Sequence, residues 1–324
     1  MRILSGIQPS GRLHIGNYFG AIRQYLKLQD EGNECFYFIA NYHALTSTTD
    51  KTALEEVTLH VARAYLALGI DPEKSTFFVQ SDVPSVTELC WILNCHCPVS
   101  LMEKATSYKD KVARGLAPNM GLFDYPVLQA ADIMLYKAGL VPVGEDQVQH
   151  LELSREIVRR FNGRFGDVFP EPQPLLSTAK RILGLDGQAK MSKSLDNTLA
   201  MLAGPEEIWE KLRPAVTDVR RVRRDDPGEP EDCNLFSIHK AFTGDEQRAE
   251  IAEGCRTASM GCFDCKKLLA ENLEAHLAPV RDHYLQLKEQ PETVREILSA
   301  GAERCRGIAR EVLGEARDAM GFMA

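Results

Sequence analysis

Short apolar runs alternate with helix-periodic segments along the first third of the chain. The runs Ile3–Ile7, Cys35–Ala40 and Ser75–Val79 have the length of strands. Between them, apolar residues recur at helical spacing, first at Ile15, Phe19, Ile22 and Leu26 and then at Leu54, Val57, Val61, Tyr65 and Leu68. This β-α-β-α-β order predicts an α/β fold with a doubly wound parallel sheet, whose ligands bind where the strands end.

After about Leu202 the strand pattern disappears, and the remaining apolar positions have helical spacing. The helical segments are Glu206–Leu212, Gln247–Ala252, Lys266–His276 and Glu292–Ala302. We therefore predict a first α/β domain over residues 1–195 and a second, all-helical domain over residues 196–290. Residues 291–324 are expected to form a C-terminal helix that packs back on the first domain.

The composition excludes several classes of protein. Hydrophobic residues make up 44% of the 324 positions and charged residues 26%, as in ordinary globular proteins. No apolar run reaches the roughly 18 residues of a membrane span, and the first residues lack the apolar core of a signal peptide. We expect a cytoplasmic protein without a membrane partner. The net charge of −8 argues against a coat of nucleic acid but allows a local basic patch, such as Arg220–Arg224.

Two segments have the composition of nucleotide-binding loops. Pro9–Asn17 lies between the first strand and the first helix, where backbone N–H groups and the helix dipole point to the ligand edge of the sheet. Its two glycines allow a nucleotide to come close, and His14 and Asn17 lie one turn apart. Lys190–Ser194 supplies two lysines and two hydroxyl groups to a triphosphate. Each segment alone also fits a simpler interpretation, an ordinary turn before a helix or an exposed basic loop.

Together, the two segments resemble the HIGH and KMSKS motifs of class I aminoacyl-tRNA synthetases, the first as His14-Ile15-Gly16-Asn17 and the second intact. The resemblance implies a Rossmann-like catalytic domain in which ATP with Mg²⁺ activates an amino acid. The catalytic residues that it implies are His14, Asn17, Lys190 and Lys193. The ATP-binding residues that it implies are Gln8, Pro9, Ser10, Gly16, Asn17, Gly144, Glu145, Asp146, Ile182, Lys190, Met191, Ser192, Lys193 and Ser194.

A third feature is a carboxylate within an apolar helix. The segment Tyr125–Leu135 begins with a proline at an early helical position, and Tyr125, Gln129 and Asp132 share one face. A carboxylate among apolar side chains is costly unless a donor partners it. A structural hydrogen bond to the backbone is the simpler explanation, and recognition of a ligand is the other. An indole offers one N–H donor and no acceptor, so a carboxylate in an apolar pocket matches it.

Three further segments, Ser5–Gly11, Ala130–Asp132 and Val143–Gln147, make the chain similar to the tryptophanyl-tRNA synthetases over nearly its whole length. The resemblance implies that Asp132 binds the indole N–H. The residues implied to bind the amino and carboxyl groups of tryptophan are Ser5, Gln8, Tyr125 and Gln147, and those implied to surround the ring are Leu4, His43, Gln129, Val141 and Val143. Position 129 is often methionine in that family, and glutamine there also occurs in tyrosyl-tRNA synthetases.

Nine cysteines in a chain without a secretory signal indicate thiols or metal ligands rather than disulfides. Four of them lie close together in the sequence, namely Cys233, Cys255, Cys262 and Cys265. Their spacing suits either a tetrahedral zinc ion or a [4Fe–4S] cluster. A subset of tryptophanyl-tRNA synthetases has a similar pattern that holds [4Fe–4S], so the resemblance implies iron–sulfur, with zinc as the alternative. We expect a structural role near the anticodon-binding region, where Arg220–Arg224 would meet RNA phosphates.

These features predict a tryptophan–tRNA ligase, which forms tryptophanyl-adenylate from L-tryptophan and ATP and transfers the acyl group to tRNA(Trp). The family implies a homodimer. One alternative is a tyrosyl-tRNA synthetase. The other is a non-catalytic, metal-containing RNA-binding paralogue, against which the intact Lys190–Ser194 segment argues.

Overall fold

A computed structural model describes residues 1–9, 11–46, 51–104, 108, 113, 115, 118–176, 182–192 and 195–323, without the side chains of 51–53 and 146. Its strands are β1 Arg2–Ile7, β2 Glu34–Ile39, β3 Ser75–Val79, β4 Leu140–Val143 and β5 Gln173–Leu176. They form one sheet in the order β3-β2-β1-β4-β5, and every neighbouring pair is parallel. The predicted doubly wound α/β fold is therefore confirmed.

The described α-helices lie between the strands in the sequence and after the last one. In chain order they are α1 Ile15–Asn17, α2 Arg23–Asp30, α3 Asn41–Ala44, α4 Lys51–Ala67, α5 Ser85–Asn94, α6 Val99–Met102, α7 Met120–Leu135, α8 Val148–Phe165, α9 Pro205–Leu212, α10 Asn234–Phe242, α11 Asp245–Arg256, α12 Cys262–Glu289 and α13 Pro291–Met320. Among the described residues, none of these helices has the length and apolar character needed to cross a lipid bilayer.

The strand order reverses at β1, because β2 continues the sheet on one side and β4 on the other. In doubly wound sheets, the crevice at such a switch point is where ligands bind, outside the carboxyl ends of the strands. In this chain, Gln8 follows β1 and Gly144 follows β4. The topology thus brings two segments that are far apart in sequence to one edge of the sheet.

Two helices differ from the predicted ones. The first predicted helix is interrupted by a π-helical turn, Tyr18–Ile22, between α1 and α2. A π turn takes up extra residues, so the buried face continues through Tyr25 and Leu28, whereas Leu26 is only partly buried. The helix around Asp132 begins earlier than predicted, at Met120, because the Asn119 side chain caps it by accepting the Leu122 N–H at 2.8 Å. The proline that was expected to open this helix, Pro126, lies inside it.

The chain divides into two compact units. The first contains Met1–Gly11, Gln24–Ser177 and Gln290–Ala324, with the whole sheet and helix α13. The second contains Arg12–Arg23 and Thr178–Glu289, with helices α1 and α9–α12. In this division, both the His14–Asn17 segment and Lys190 belong to the second unit. Hydrophobic periodicity does not report which distant segments pack together, so it did not predict that Arg12–Arg23 would group with Thr178–Glu289.

Helix α13 packs against β3 with an unusually close approach at Gly301. A Cβ atom built on Gly301 would lie 2.1 Å from the carbonyl oxygen of Phe77, in the middle of β3. Further along the helix, Ala302, Cys305 and Ala309 are fully buried. These small side chains let the helix lie directly on the strand backbone, which fixes one face of the sheet.

We predict that Gly301→Ala destabilises the chain by about 1–3 kcal/mol, since either the helix or β3 must shift to admit a methyl group. Gly307→Ala in the same helix is the matched control, because a Cβ there meets no atom within 4 Å. It should be neutral or stabilise by roughly 0.5–1 kcal/mol, as expected for alanine in place of glycine in an open helix. Denaturant unfolding of both variants measures the difference, and equal stability would contradict the proposed packing.

Candidate functional site

A cavity of about 350 Å³ opens at the carboxyl edge of the sheet within the first unit. It is lined by Leu4, Ser5, Gly6, Gln8, Phe38, Ala40, His43, Thr46, Tyr125, Gln129, Asp132, Ile133, Val141, Gln147 and His150. Every residue that the sequence suggested for tryptophan lies in this lining except Val143, which packs against the hydrophobic core. The apolar side chains of Leu4, Phe38, Ala40, Ile133 and Val141 share this lining with a larger number of polar side chains. The volume and the convergence of polar groups are typical of a site for a small molecule.

The carboxylate of Asp132 is the most deeply buried charge of this cavity, with 3% of the residue exposed. The side-chain amide of Gln80 donates to both of its oxygens, at 2.8 and 2.9 Å, and His43 Nε2 lies 2.9 Å from Oδ2. Burial raises the pKa of Asp132, and the hydrogen bonds from His43 and Gln80 act in the opposite direction. Side chains, and not the backbone, are therefore the partners of this carboxylate.

A second polar group lies on the same wall of the cavity. The hydroxyl of Tyr125 is 2.8 Å from Nε2 of His150, and Nδ1 of the same ring is 3.1 Å from Oε1 of Gln147. His150 is 5% exposed, and its buried ring contacts both side chains. Tyr125 and Gln147 are two of the four residues expected at the amino and carboxyl groups of a substrate, and this histidine lies between them.

Sequence reasoning missed Gln80 and His150. Gln80 directly follows the buried strand β3, and a polar residue at that position was the available signal. His150 lies one helical turn after Gln147, a spacing at which side chains meet. Ser5 was expected at the substrate, but its hydroxyl is 2.6 Å from the Tyr25 hydroxyl and 3.4 Å from the carbonyl oxygen of Pro142.

In the second unit, backbone hydrogen bonds join the chain around His14 to the chain that follows Lys190–Ser194. His14 and Ala200 form an antiparallel bridge, flanked by bonds from Ile15 N to Leu199 O and from Met201 N to Leu13 O, both 2.9 Å. The carbonyl oxygen of the Asn17 side chain accepts the backbone N–H of His14 at 3.1 Å. The chain that follows Lys190–Ser194 is thus paired with the chain that contains His14.

Gly16 fits this arrangement because it has no side chain. A Cβ on Gly16 would lie 3.0 Å from the imidazole Nδ1 of His14 and 3.3 Å from the Cβ of Met191. Met191 is 3% exposed, so its side chain faces the protein, while Lys190 is exposed. The close contact between the two segments therefore explains both Gly16 and Met191.

A buried asparagine, Asn197, organises the loop that precedes it. Its side-chain carbonyl accepts the Ser192 N–H at 2.8 Å, and its amide donates to the carboxylate of Asp186 at 2.8 Å and to Lys190 O at 3.3 Å. Asp186 also accepts the N–H groups of Gln188 and Ala189, and these bonds lower its pKa. Asn197 was not among the predicted site residues, because it lies outside the motif.

The remaining predicted ATP residues lie at several places. Gly144 and Glu145 are exposed just after β4, Gln8 is exposed just after β1, and Ile182 is partly buried. Pro9 is buried, and Gly11 has a left-handed backbone with φ of 64°. The residues Ser10, Lys193 and Ser194 and the side chain of Asp146 lie outside what the structure describes.

The four clustered cysteines surround one small cavity in the second unit, of about 20 Å³. Their side chains lie close enough that burial, followed by the three neighbouring thiols, raises the pKa of Cys265 to about 12. The imidazole Nε2 of the fully buried His239 is 3.3 Å from Cys265 Sγ. Within the described part of the chain, no set of three or more His, Cys, Asp or Glu side chains is placed as a metal-binding group.

The arginines beside these cysteines divide into two kinds. Arg220 forms a two-point ion pair with buried Asp218, whose pKa is held well below its usual range by this partner. Arg221 donates to the carbonyl oxygens of Asp226, Arg224 and Met260 and lies 3.8 Å from Cys255 Sγ. Arg223 and Arg224 are exposed. Two of the four arginines of the basic run therefore bond other groups of the protein.

Comparison with known proteins matches residues 1–278 to the family described as tRNA synthetases class I (W and Y). A tryptophan–tRNA ligase of Deinococcus radiodurans is 48% identical, over 99% of both chains, and one of Thermotoga maritima is 45% identical over the full length of both. Among solved structures, tryptophanyl-tRNA synthetase of Campylobacter jejuni, complexed with ADP and tryptophan, has a TM-score of 0.93 and 43% identity over 99% of this chain and 100% of that one.

Proposed function

This chain belongs to the class I tryptophanyl-tRNA synthetases, and we propose that it uses the cavity around Asp132 to bind the tryptophan that it joins to tRNA. The observation that carries this assignment is the buried carboxylate of Asp132 in the wall of the cavity, an acceptor that complements the single donor of an indole ring. The relatives described above are tryptophan–tRNA ligases over their full length. The resemblance to a tyrosyl-tRNA synthetase of Archaeoglobus fulgidus, at 23% identity, concerns the fold alone.

The pocket also offers partners for the amino-acid backbone of tryptophan. Tyr125 and Gln147 are held by His150 on one wall, where the substrate's ammonium group would lie. Gln8 is exposed at the end of β1, where it can contact the carboxylate. Ser5 lines the same cavity and stays assigned to these polar groups, with the Tyr25 hydroxyl 2.6 Å from its own. Leu4, His43, Gln129 and Val141, which line the cavity, are assigned to the ring together with Val143.

We assign the phosphates of ATP, bound with Mg²⁺, to the second unit. Lys190 is exposed, and it and Lys193 supply positive charge to the departing pyrophosphate, together with His14 and Asn17. The Asn197 network and the pairing of His14 with Ala200 set the geometry of these segments. Gly144, Glu145 and Asp146 are assigned to the ribose, and Ile182 to the adenine.

The reaction has two steps, and both require positioning more than covalent catalysis. The carboxylate of tryptophan attacks the α-phosphate of ATP and expels pyrophosphate, giving tryptophanyl-adenylate. A hydroxyl of the terminal adenosine of tRNA then attacks the activated carbonyl, and AMP leaves. Lysines stabilise negative charge that develops in the first transition state, which raises the rate without tighter binding of tryptophan.

Amino-acid-dependent exchange between pyrophosphate and ATP tests the proposal directly. We expect kcat/KM for tryptophan to exceed that for tyrosine by about 10⁴-fold, the level of discrimination that protein synthesis requires. Lys190→Ala should lower kcat by roughly 10²-fold while the Kd of tryptophan stays nearly constant. Lys240→Ala, in the same unit and paired with Glu231, is the control and should keep full activity. Exchange driven by tyrosine, or no exchange with either amino acid, would contradict the assignment.

We further propose that Cys233, Cys255, Cys262 and Cys265 hold a [4Fe–4S] cluster with a structural role. Four thiols face one cavity, and thiolates are the ligands that such a cluster requires. The guanidinium of Arg221 beside Cys255 would balance part of the negative charge of the thiolates. The exposed Arg223 and Arg224 stay the predicted contacts to tRNA phosphates in this region.

Anaerobic purification tests the cluster. The wild-type chain should be coloured and contain about four iron atoms, and Cys262→Ser should lose both the colour and the iron. Cys95→Ser removes an exposed cysteine of the first unit and should change neither. One zinc ion per chain would support the alternative metal, and a metal-free wild type would contradict a metal site altogether.

We also propose that the chain forms a homodimer, with an apolar surface of the first unit as its interface. A second cavity, of about 310 Å³, is lined in part by Leu45, Cys90 and Leu128. Leu45 is 54% exposed, and Trp91 and Met120, next in sequence to lining residues, are 70% and 74% exposed. Large apolar side chains grouped on a surface mark interfaces, and a second copy of the chain would cover them.

Light scattering should therefore give twice the chain mass of 36.2 kDa. A charge at the centre of the interface is expected to weaken it strongly, so Trp91→Glu should shift the population to monomers. Met323→Glu, at an exposed residue near the C-terminus, is the control. A wild-type monomer at micromolar concentration would rule the dimer out.

A further inference from the structure

The Asp132 carboxylate is held by a residue that does not touch the cavity. Gln80 is 2% exposed and is absent from the lining, yet its side-chain amide donates to both oxygens of Asp132. We propose that Gln80 is a positioning residue for substrate specificity, which keeps Asp132 oriented as an acceptor for the ring N–H of the amino acid. This inference rests on the proposed binding of tryptophan in the cavity.

The orientation of the Gln80 amide is fixed by a backbone group. Its Oε1 accepts the N–H of Tyr42 at 3.0 Å, in the first turn of helix α3. A backbone N–H can only donate, so the carbonyl end of the amide must face Tyr42. The NH₂ end is thereby directed at Asp132, where only an acceptor can lie. The donor-to-acceptor direction is thus set before any substrate binds.

Two hydrogen bonds between Asn41 and Ser81 keep Tyr42 and Gln80 next to each other. The Asn41 side chain donates to the hydroxyl of Ser81 at 2.8 Å, and the Ser81 backbone N–H donates to the Asn41 carbonyl oxygen at 3.0 Å. Asn41 precedes Tyr42, and Ser81 follows Gln80. The start of α3 and the turn after β3 are therefore held together, which keeps the Tyr42 N–H beside the Gln80 side chain.

One oxygen of Asp132 keeps capacity for a further donor. Oδ2 accepts from both Gln80 and His43, whereas Gln80 is the one donor to Oδ1 among the residues that the structure describes. A carboxylate oxygen accepts about two hydrogen bonds, so Oδ1 can take one more. Without Gln80, the buried carboxylate would have only His43 as a partner, and it would turn or take up a proton, which makes it a donor.

The expected signature is a loss of selectivity for the ring N–H. Tryptophan is compared in pyrophosphate exchange with β-(3-benzothienyl)alanine, in which sulfur replaces the N–H. The wild-type enzyme should prefer tryptophan by at least 100-fold, since the analogue leaves a buried acceptor unpaired. In Gln80→Met this ratio should fall about tenfold, through a higher KM for tryptophan and with kcat nearly unchanged.

Gln29→Met is the matched control for the loss of a buried glutamine. Gln29 is 4% exposed and its amide bonds Asp71 N, Ser75 Oγ and Gly69 O, at the other end of β3. Its replacement should lower stability and leave the tryptophan-to-analogue ratio as in the wild type. Gln80→Glu keeps the shape of the side chain but sets two carboxyl groups side by side, so the pair takes up a proton and Asp132 is no longer fixed as an acceptor. The ratio should fall in this variant as well.

The outcomes separate this inference from the proposed function. A wild-type enzyme that accepts both amino acids equally would overturn the assignment of Asp132 to the ring N–H. If the wild type is selective and Gln80→Met keeps its tryptophan-to-analogue ratio, the role of Gln80 is overturned and the role of Asp132 stands. If Gln80→Met does not fold, an unchanged ratio in Gln80→Glu has the same meaning. A ratio that falls equally in Gln29→Met would also overturn the role of Gln80, because the effect would then be general loss of structure.

Discussion

The carboxylate of Asp132 lies inside an apolar helix, and the pocket around it depends on the hydrogen bonds that make this burial tolerable. An ionised carboxylate removed from water costs several kcal/mol unless donors replace its hydration. Gln80 and His43 provide these donors from the turn after β3 and from helix α3. Three segments of the chain must therefore keep their register, and the carboxyl edge of the sheet is held rigidly as a result. Preorganised groups of this kind cost little ordering entropy when a ligand binds.

A different principle organises the phosphate-binding segments of the second unit. There, Leu13–Ile15 pairs through its backbone with Leu199–Met201, the chain that follows the second motif. The side chain of Asn197 bonds Asp186, Lys190 and Ser192 and so shapes the loop that contains the second motif. Met191 and Gly16 fill the contact, whereas Lys190 is left exposed to carry charge. Within one short motif, some residues thus serve the fold and others serve the ligand, and their burial tells them apart.

The arginines beside the cysteines also divide into residues that serve the fold and residues that are left for a ligand. Arg220 and Arg221 are used in ion pairs and carbonyl contacts, which order the loop beside Cys255, whereas Arg223 and Arg224 extend into solvent. A run of four similar residues in the sequence therefore has two functions in the structure. Charge composition could not distinguish them, because it counts residues without their partners.

The sequence by itself determined the parallel sheet, the helical second half, the family and most of the pocket lining. Periodicity and motif spacing are local properties, and Tyr125, Gln129 and Asp132 share a face wherever a helix forms. Only the tertiary structure decided that Gln80 partners Asp132, 52 positions away, and that His14 pairs with Ala200. It also decided that α13 lies on β3 at Gly301 and that Pro126 lies inside its helix. Such contacts join residues that are far apart in the sequence, and no local pattern relates them. They follow from packing and from the need of buried polar groups for partners.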